Sequence, residues 1–184
     1  FNVGFKYSIT DWMNITVRGK YDNSAVLSEK KYYASTSGLF AGENGAYHRA
    51  NLDDRQLYGD AMLNIDKYVG DFSIKATVGA SIKDYKNSYA NIGANLQGVA
   101  NLFTFSNMDF NSMVLNQSGY REQNQAIFAT AQVGYKSMGY IDLTGRNDWS
   151  SALAGTSTKS IFYPSVGVSA ILTEILPILS LIHI

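Results

Sequence analysis

The chain has 184 residues with 15 Lys and Arg against 15 Asp and Glu and a pI near 6.9, so no bulk charge draws it to nucleic acid or an anionic surface. Cysteine is absent and only two histidines occur, which excludes a disulfide frame, a thiolate metal site, a cysteine nucleophile and a histidine cage. Charged residues make up 16%, and 13 Tyr, 9 Phe and 16 Gly against 2 Pro point to an aromatic, Gly-punctuated β protein.

Phe1, Val3, Phe5, Tyr7 and Ile9 alternate with polar residues, a period of two that predicts a strand. After a turn over Thr10–Met13, Ile15, Val17, Gly19 and Tyr21 alternate with Asn14, Thr16, Arg18 and Lys20, which completes a hairpin. Asn23–Asp54 is polar, rich in Tyr and Gly and without periodicity, and reads as a long loop. Leu57, Gly59, Ala61, Leu63 and Ile65 form the next alternating face. A turn over Asp66–Asp71 leads to Phe72, Ile74, Ala76, Val78, Ala80 and Ile82.

Lys83–Glu122 again reads mostly as loop, with one short extended piece at Leu102–Phe105. Ile127, Ala129, Ala131, Val133 and Tyr135 make a further face, and Lys136–Gly139 turns the chain into YIDLTGRNDWSS, Tyr140–Ser151. In that stretch Asp142, Thr144, Arg146 and Asp148 share one parity while Ile141, Leu143 and Gly145 share the other. A loop at Ser150–Ser160 precedes the last face, Phe162, Pro164, Val166, Val168, Ala170 and Leu172.

Connections therefore alternate short and long along the chain, the layout of an outer-membrane barrel. Strands of roughly 9 to 11 tilted residues cross a bilayer, whereas soluble strands peak near 5 or 6. The expected fold is all-β, an antiparallel up-and-down meander of about seven long strands forming part of a transmembrane β-barrel, an open curved sheet as a fragment. Ile141 and Leu143 would then face lipid, and Asp142, Thr144, Arg146 and Asp148 an aqueous lumen, with Arg18, Lys20, Lys75 and Lys83 on the same polar parity. Tyr7, Trp12, Tyr21, Tyr58, Tyr68, Tyr85, Tyr120, Tyr135, Tyr140, Trp149, Phe162 and Tyr163 cluster toward strand ends, as interfacial girdles do. A soluble sandwich also alternates, so parity alone leaves that fold open.

Chemistry-bearing candidates are few. Asp53 and Asp54 are adjacent carboxylates in a polar segment, where solvation rather than general acid and base work is the expected state. His48 has no second ligand at metal spacing, and the acceptor-like triplet at Asn14 enters a strand. No catalysis and no cofactor are expected. Arg146 and Asp148, two residues apart on one face, either pair and fix the strand end or meet a solute, and the pairing is the reading taken.

LTGRNDWSSAL (Leu143–Leu153) followed by FYPSVGVSAIL (Phe162–Leu172) resembles the SusC/RagA family of TonB-linked outer-membrane transporters, in which a strand ending Arg-x-Asp-x-Ser-Ser precedes a loop and a Tyr-Pro-Ser strand. LQGVANLFTFSN (Leu96–Asn107) is similar to the loop that precedes this strand pair, so the resemblance covers about Phe1–Glu174. It implies a plugged barrel of roughly 22 strands, of which about seven are seen here, too few to close when the smallest has eight. It further implies the outer membrane of a Gram-negative bacterium and active import of oligosaccharides or peptides. The partners would be outer-membrane lipid, a SusD-like surface lipoprotein, and TonB with ExbB and ExbD. The signature residues Asp142, Arg146, Asp148, Ser150, Ser151, Tyr163, Pro164 and Ser165 are expected to face the lumen and to act structurally. A passive porin-like channel and a soluble β-sandwich binding module remain the alternatives.

From Val166 the chain is nearly continuously apolar, yet Glu174 and Pro177 argue against a membrane-spanning helix. The last six residues, LSLIHI (Leu179–Ile184), match the translation of a transposase adapter end used in sequencing libraries. They are expected to be artefact, leaving His183 without function. With no initiator Met before Phe1, the expectation is a partial barrel over 1–178 cut from a longer protein, followed by adapter at 179–184.

Overall fold

A computed structural model describes residues 1–175. The strands are β1 (Asn2–Thr10), β2 (Met13–Tyr32), β3 (Ala46–Val69), β4 (Phe72–Asn95), β5 (Val114–Tyr135), β6 (Gly139–Ser150) and β7 (Ser160–Ala170), followed by a one-turn helix, α1 (Leu172–Ile175). They form one sheet in chain order, β1 through β7, so every sequence neighbour is also a spatial neighbour. Pairing is antiparallel for β1 with β2, β5 with β6 and β6 with β7. The seven-strand meander expected from period-two alternation is borne out, and β1 and β7 do not close on each other. Pro177 and LSLIHI lie outside the described residues.

Short and long connections alternate as expected, but the long ones are shorter than the sequence suggests. β2 continues to Tyr32 and β3 starts at Ala46, so most of the loop read at Asn23–Asp54 is strand and only 33–45 connects. Likewise β4 runs to Asn95 and β5 starts at Val114, which corrects the loop reading of Lys83–Glu122. In these segments polar residues occupy both faces, so alternation disappears, while pairing with at least one neighbouring strand still holds the backbone extended. The resulting strands reach 24 residues in β3 and β4, well beyond the soluble norm.

The tight turns follow from local geometry. Lys136 and Ser137 both take positive φ, 48° and 57°, the condition for a hairpin turn whose twist matches its strands. The turn closes with Met138 N–H donating to the Tyr135 carbonyl at 2.9 Å. Gly45 has φ +97°, and a Cβ there would stand 2.4 Å from the Tyr32 carbonyl oxygen, so only glycine fits.

Two compact units arise. The first comprises Phe1–Tyr21, Leu57–Asp84 and the chain from Glu122 onward. Its apolar side chains are not buried: Phe5 is 64% exposed, Ile127 55% and Val168 79%, all on the parity the sequence marks as greasy. The second comprises Asp22–Gln56 and Tyr85–Arg121 and has a small core of Tyr47, Ala94, Leu96 and Met108, with Ile92, Phe103 and Met113 packed against it.

Candidate functional site on the polar face of the sheet

In the first unit the polar parity carries a chain of cross-strand contacts. Asp60 on β3 accepts from Arg18 Nε at 3.0 Å and Arg18 Nη2 at 2.8 Å, and Tyr58 Oη donates to it at 2.8 Å. The Asp60 side chain is 1% exposed against 55% for Arg18, so the carboxylate is desolvated and fully partnered while the guanidinium keeps water. Asn64 Nδ2 donates to Asn14 Oδ1 at 3.0 Å, and Thr77 Oγ1 donates to Asn64 Oδ1 at 3.0 Å. This amide and hydroxyl ladder satisfies polar groups across β2, β3 and β4 in neutral form.

The signature residues fall as follows. Asp142 lies opposite Gln132, whose Nε2 donates to it at 2.7 Å. Arg146 and Asp148 contact each other at 2.7 Å, and the Arg146 guanidinium also rests 5.8 Å over the Phe128 ring. Phe128 fits because Gly79 faces it: a Cβ at Gly79 would come within 2.6 Å of the ring. Tyr163 is directly opposite Arg146, and Ser165 opposite Thr144, so both share that face. Ser150 Oγ accepts from Ala152 N–H at 3.3 Å, and Ser151 Oγ from Gln123 N–H at 2.9 Å, closing the end of β6. Pro164 departs from the expected placement. It alternates with Tyr163 and Ser165 and therefore lies on the apolar side with Phe162 and Val166.

The girdle expectation is also corrected in part. Tyr58 and Tyr163 lie on the polar face by their contacts with Asp60 and opposite Arg146, so they are not interfacial anchors. Trp149 sits on the other face, beside an apolar groove with Gly59, Ala61, Ala80, Ile82 and Ile127. Parity, which a count of aromatics near strand ends ignores, makes the difference.

In the second unit Asp53 and Asp54 point to opposite faces of β3, which removes the paired-carboxylate reading. Tyr85 Oη donates to Asp54 Oδ1 at 2.6 Å and Asn87 Nδ2 donates to it at 2.8 Å. Those two donors hold the Asp54 carboxyl below its ordinary range, and the bond to Asp54 pushes the Tyr85 phenol up to about 12. The Tyr120 ring packs 5.6 Å from Tyr85. His48 lies against Gly93 and edge-on to Tyr32 at 5.7 Å, a packed ring rather than a metal ligand.

Sequence reasoning misses Asn107 altogether. Buried to 6% exposure, it accepts from the Gly98 and Val99 N–H groups at 3.0 Å each and donates to the Val99 and Leu102 carbonyls at 2.7 and 2.9 Å. All four of its amide hydrogen-bond directions go to the Leu96–Asn107 segment that it terminates. Asn101 then ties this segment to the 33–45 connection, accepting from Ala34 N–H at 2.8 Å. The only signal in the sequence was the density of Asn in a stretch without periodicity.

No protein-family model matches the chain, and no curated protein matches it. Among solved structures, the RagAB peptide transporter matches over 91% of this chain and 19% of its own, with TM-score 0.80 and 16% identity. The RagAB peptide importer in the closed-closed state matches at TM-score 0.77 and 16% identity over the same shares, 91% and 19%. The siderophore receptor PiuA from Acinetobacter baumannii matches at TM-score 0.52 and 13% identity, over 91% of this chain and 28% of its own. The chain thus spans about a fifth of the length of the RagAB chain it matches, 19%. The likeness read from the RNDWSS and YPS motifs is borne out at the level of fold: the described strands have the architecture of a stretch of such a transporter barrel.

Proposed function

We propose that the chain is a stretch of barrel wall from a SusC/RagA-like, TonB-dependent importer in the outer membrane of a Gram-negative bacterium. The observation that carries this reading is the two-faced sheet of the first unit. Its apolar parity is exposed at Phe5, Ile127 and Val168 with no second sheet against it among the described residues, while its polar parity is hydrogen-bonded within itself. A soluble sandwich would bury that apolar face in a core about 10 Å thick. A membrane wall exposes it to lipid and keeps charge on the other side.

The importer carries oligosaccharides or peptides past a lumenal plug, with a SusD-like lipoprotein at the outer surface and TonB, ExbB and ExbD supplying energy. The fold likeness to RagAB supports this choice over a simple pore. In this reading the strands of the first unit cross the hydrocarbon of the bilayer, and the second unit, with polar residues on both strand faces, is not in hydrocarbon. The residues described here act as scaffold and wall. The Arg146–Asp148 pair, the Asp142–Gln132 contact and the Ser150 and Ser151 bonds fix the β6 strand end and its register, and no reaction is catalysed.

The test is made on the complete protein in cells. It should fractionate with the outer membrane, migrate as a heat-modifiable barrel, and take up its fluorescent oligosaccharide or peptide only when TonB is present. Uptake that persists without TonB would favour the porin-like channel. A water-soluble monomer would refute the membrane reading.

A further inference from the structure

On β3 and β4 of the second unit, Asn87 donates to Asp54 across the strands and His48 packs on Gly93. Both contacts belong to one antiparallel register, and one step along it sets Arg55 directly opposite Lys86, on the face away from Asp54. Gly119 on β5 faces Ser88, with its Cβ position 3.3 Å from the Ser88 Cα, which by the same alternation brings Arg121 opposite Lys86 from the other side. Three basic residues therefore form a row across β3, β4 and β5, and all three are exposed. Arg121 is engaged in an interaction of its own, but neither Arg55 nor Lys86 enters an ion pair among the described residues. Asp53 and Asp84, the acids on this face of β3 and β4, stand one side-chain level away along their strands, and Glu29 on β2 shares the face beside Arg49, so the Arg55–Lys86 pair rather than Arg49 carries the uncompensated charge.

Like charges directly opposite on neighbouring strands repel, so such a row costs stability unless an anion lies over it. Its position says which anion. Arg55 is the next outward-facing residue on β3 after Leu57, which is 59% exposed on the apolar parity, so the cations begin where the greasy surface ends. Further along the same face a groove of about 590 Å3 holds the Arg49 guanidinium 5.5 Å over the Phe105 ring, among the amides of Asn51, Asn116 and Gln117. Guanidinium and ammonium groups suit phosphate, and amides beside an aromatic ring suit sugar hydroxyls.

We infer that the Arg55–Lys86 row, continued by the Arg49 groove, binds the phosphorylated sugar headgroup of an outer-leaflet glycolipid of the lipid A type. This rests on the barrel-wall reading, because only then does lipid lie beside Leu57. The site is on the outward face of the wall and is separate from any path for an imported solute.

The complete protein, purified and delipidated in detergent, is incubated with bis-phosphorylated lipid A, with the same lipid stripped of its phosphates, or with phosphatidylethanolamine. Retained lipid is counted by native mass spectrometry. Two hydrogen bonds to charged groups predict a preference of about tenfold or more for phosphorylated over dephosphorylated lipid A. The double variant Arg55→Gln/Lys86→Gln should abolish that preference and leave heat-modifiable folding intact. Should the double variant not fold, Lys86→Gln alone should reduce the preference severalfold.

Equal retention of the two lipid A forms by the parent protein, or an unchanged preference in the variants, overturns the assignment. Complete displacement by millimolar inorganic phosphate does so too, since the sugar and acyl parts would then contribute nothing. A folded membrane barrel indifferent to phosphorylation removes this site alone, whereas a protein that needs no detergent removes the barrel-wall reading with it.

Discussion

The Arg18–Asp60 pair offers a direct measurement of how the polar face is built, because its two members are unequally buried. Replacing Arg18 by Met keeps the aliphatic stem but strands a carboxylate that is 1% exposed, with the Tyr58 hydroxyl as its remaining donor. Leaving one charge of a buried pair uncompensated costs about 3–5 kcal/mol. Replacing Asp60 by Asn leaves a guanidinium that is 55% exposed and regains water, and the amide oxygen still accepts one hydrogen bond. The loss is then that of charge assistance, about 1–2 kcal/mol. Arg18→Met should therefore be the costlier change by about 2 kcal/mol, although both delete the same ion pair. The complete protein, refolded into micelles, is unfolded in guanidinium chloride and followed by tryptophan fluorescence, with the double variant closing the cycle. Equal losses, or a larger loss for Asp60→Asn, would refute the claim that the carboxylate is the desolvated partner.

Three further outcomes are expected. Leu143→Arg on the apolar face should cost about 2–4 kcal/mol if the residue meets the bilayer midplane, whereas Thr144→Arg one position on should cost little; assembled barrel in outer-membrane fractions distinguishes the two. Asn107→Ala removes a buried amide that satisfies two N–H groups and two carbonyls, so limited proteolysis should open the 98–106 segment while β3 and β4 stay protected. For the Asp54–Tyr85 bond the pH window follows from the two directions. The Asp54 carboxyl is lowered, so its contribution holds above its unfolded value near 4 and fades as pH falls through the lower folded value. The Tyr85 phenol is raised to about 12, so its contribution is complete below about 10 and fades as pH rises through the folded value. Ultraviolet titration of the parent against Tyr85→Phe should show one phenol ionising near 12; its ionisation near 10 would show that the bond is not held in solution.

Much of the wall was legible in the sequence. Period-two alternation carried strand number, antiparallel order and the assignment of faces, because a side chain's face in a strand depends only on its parity. Spacing placed Arg146 and Asp148 on one face within reach of each other, since residues two apart always share a face. Asp60 was visible in the same way, as the acid on the polar parity between Gly59 and Ala61, but its partner was not. Arg18 lies 42 positions earlier, and no local pattern reports a contact across that separation.

Tertiary structure decided what depends on register and on what neighbouring strands supply. β2 to β5 run on through segments that look like loop, because backbone pairing with a neighbouring strand, on both sides for β3 and β4 and on one side for the ends of β2 and β5, needs no apolar alternation. Register, set by turns such as Lys136–Ser137 and the one at Gly70, brings Tyr85 and Asn87 to Asp54 and, on the opposite face, Arg55 to Lys86. A one-residue slip would exchange every such partner while leaving the hydropathy pattern unchanged. Composition and parity thus establish that the sheet has a greasy side and a polar side, and only the register of the hydrogen-bond ladder determines which charges meet.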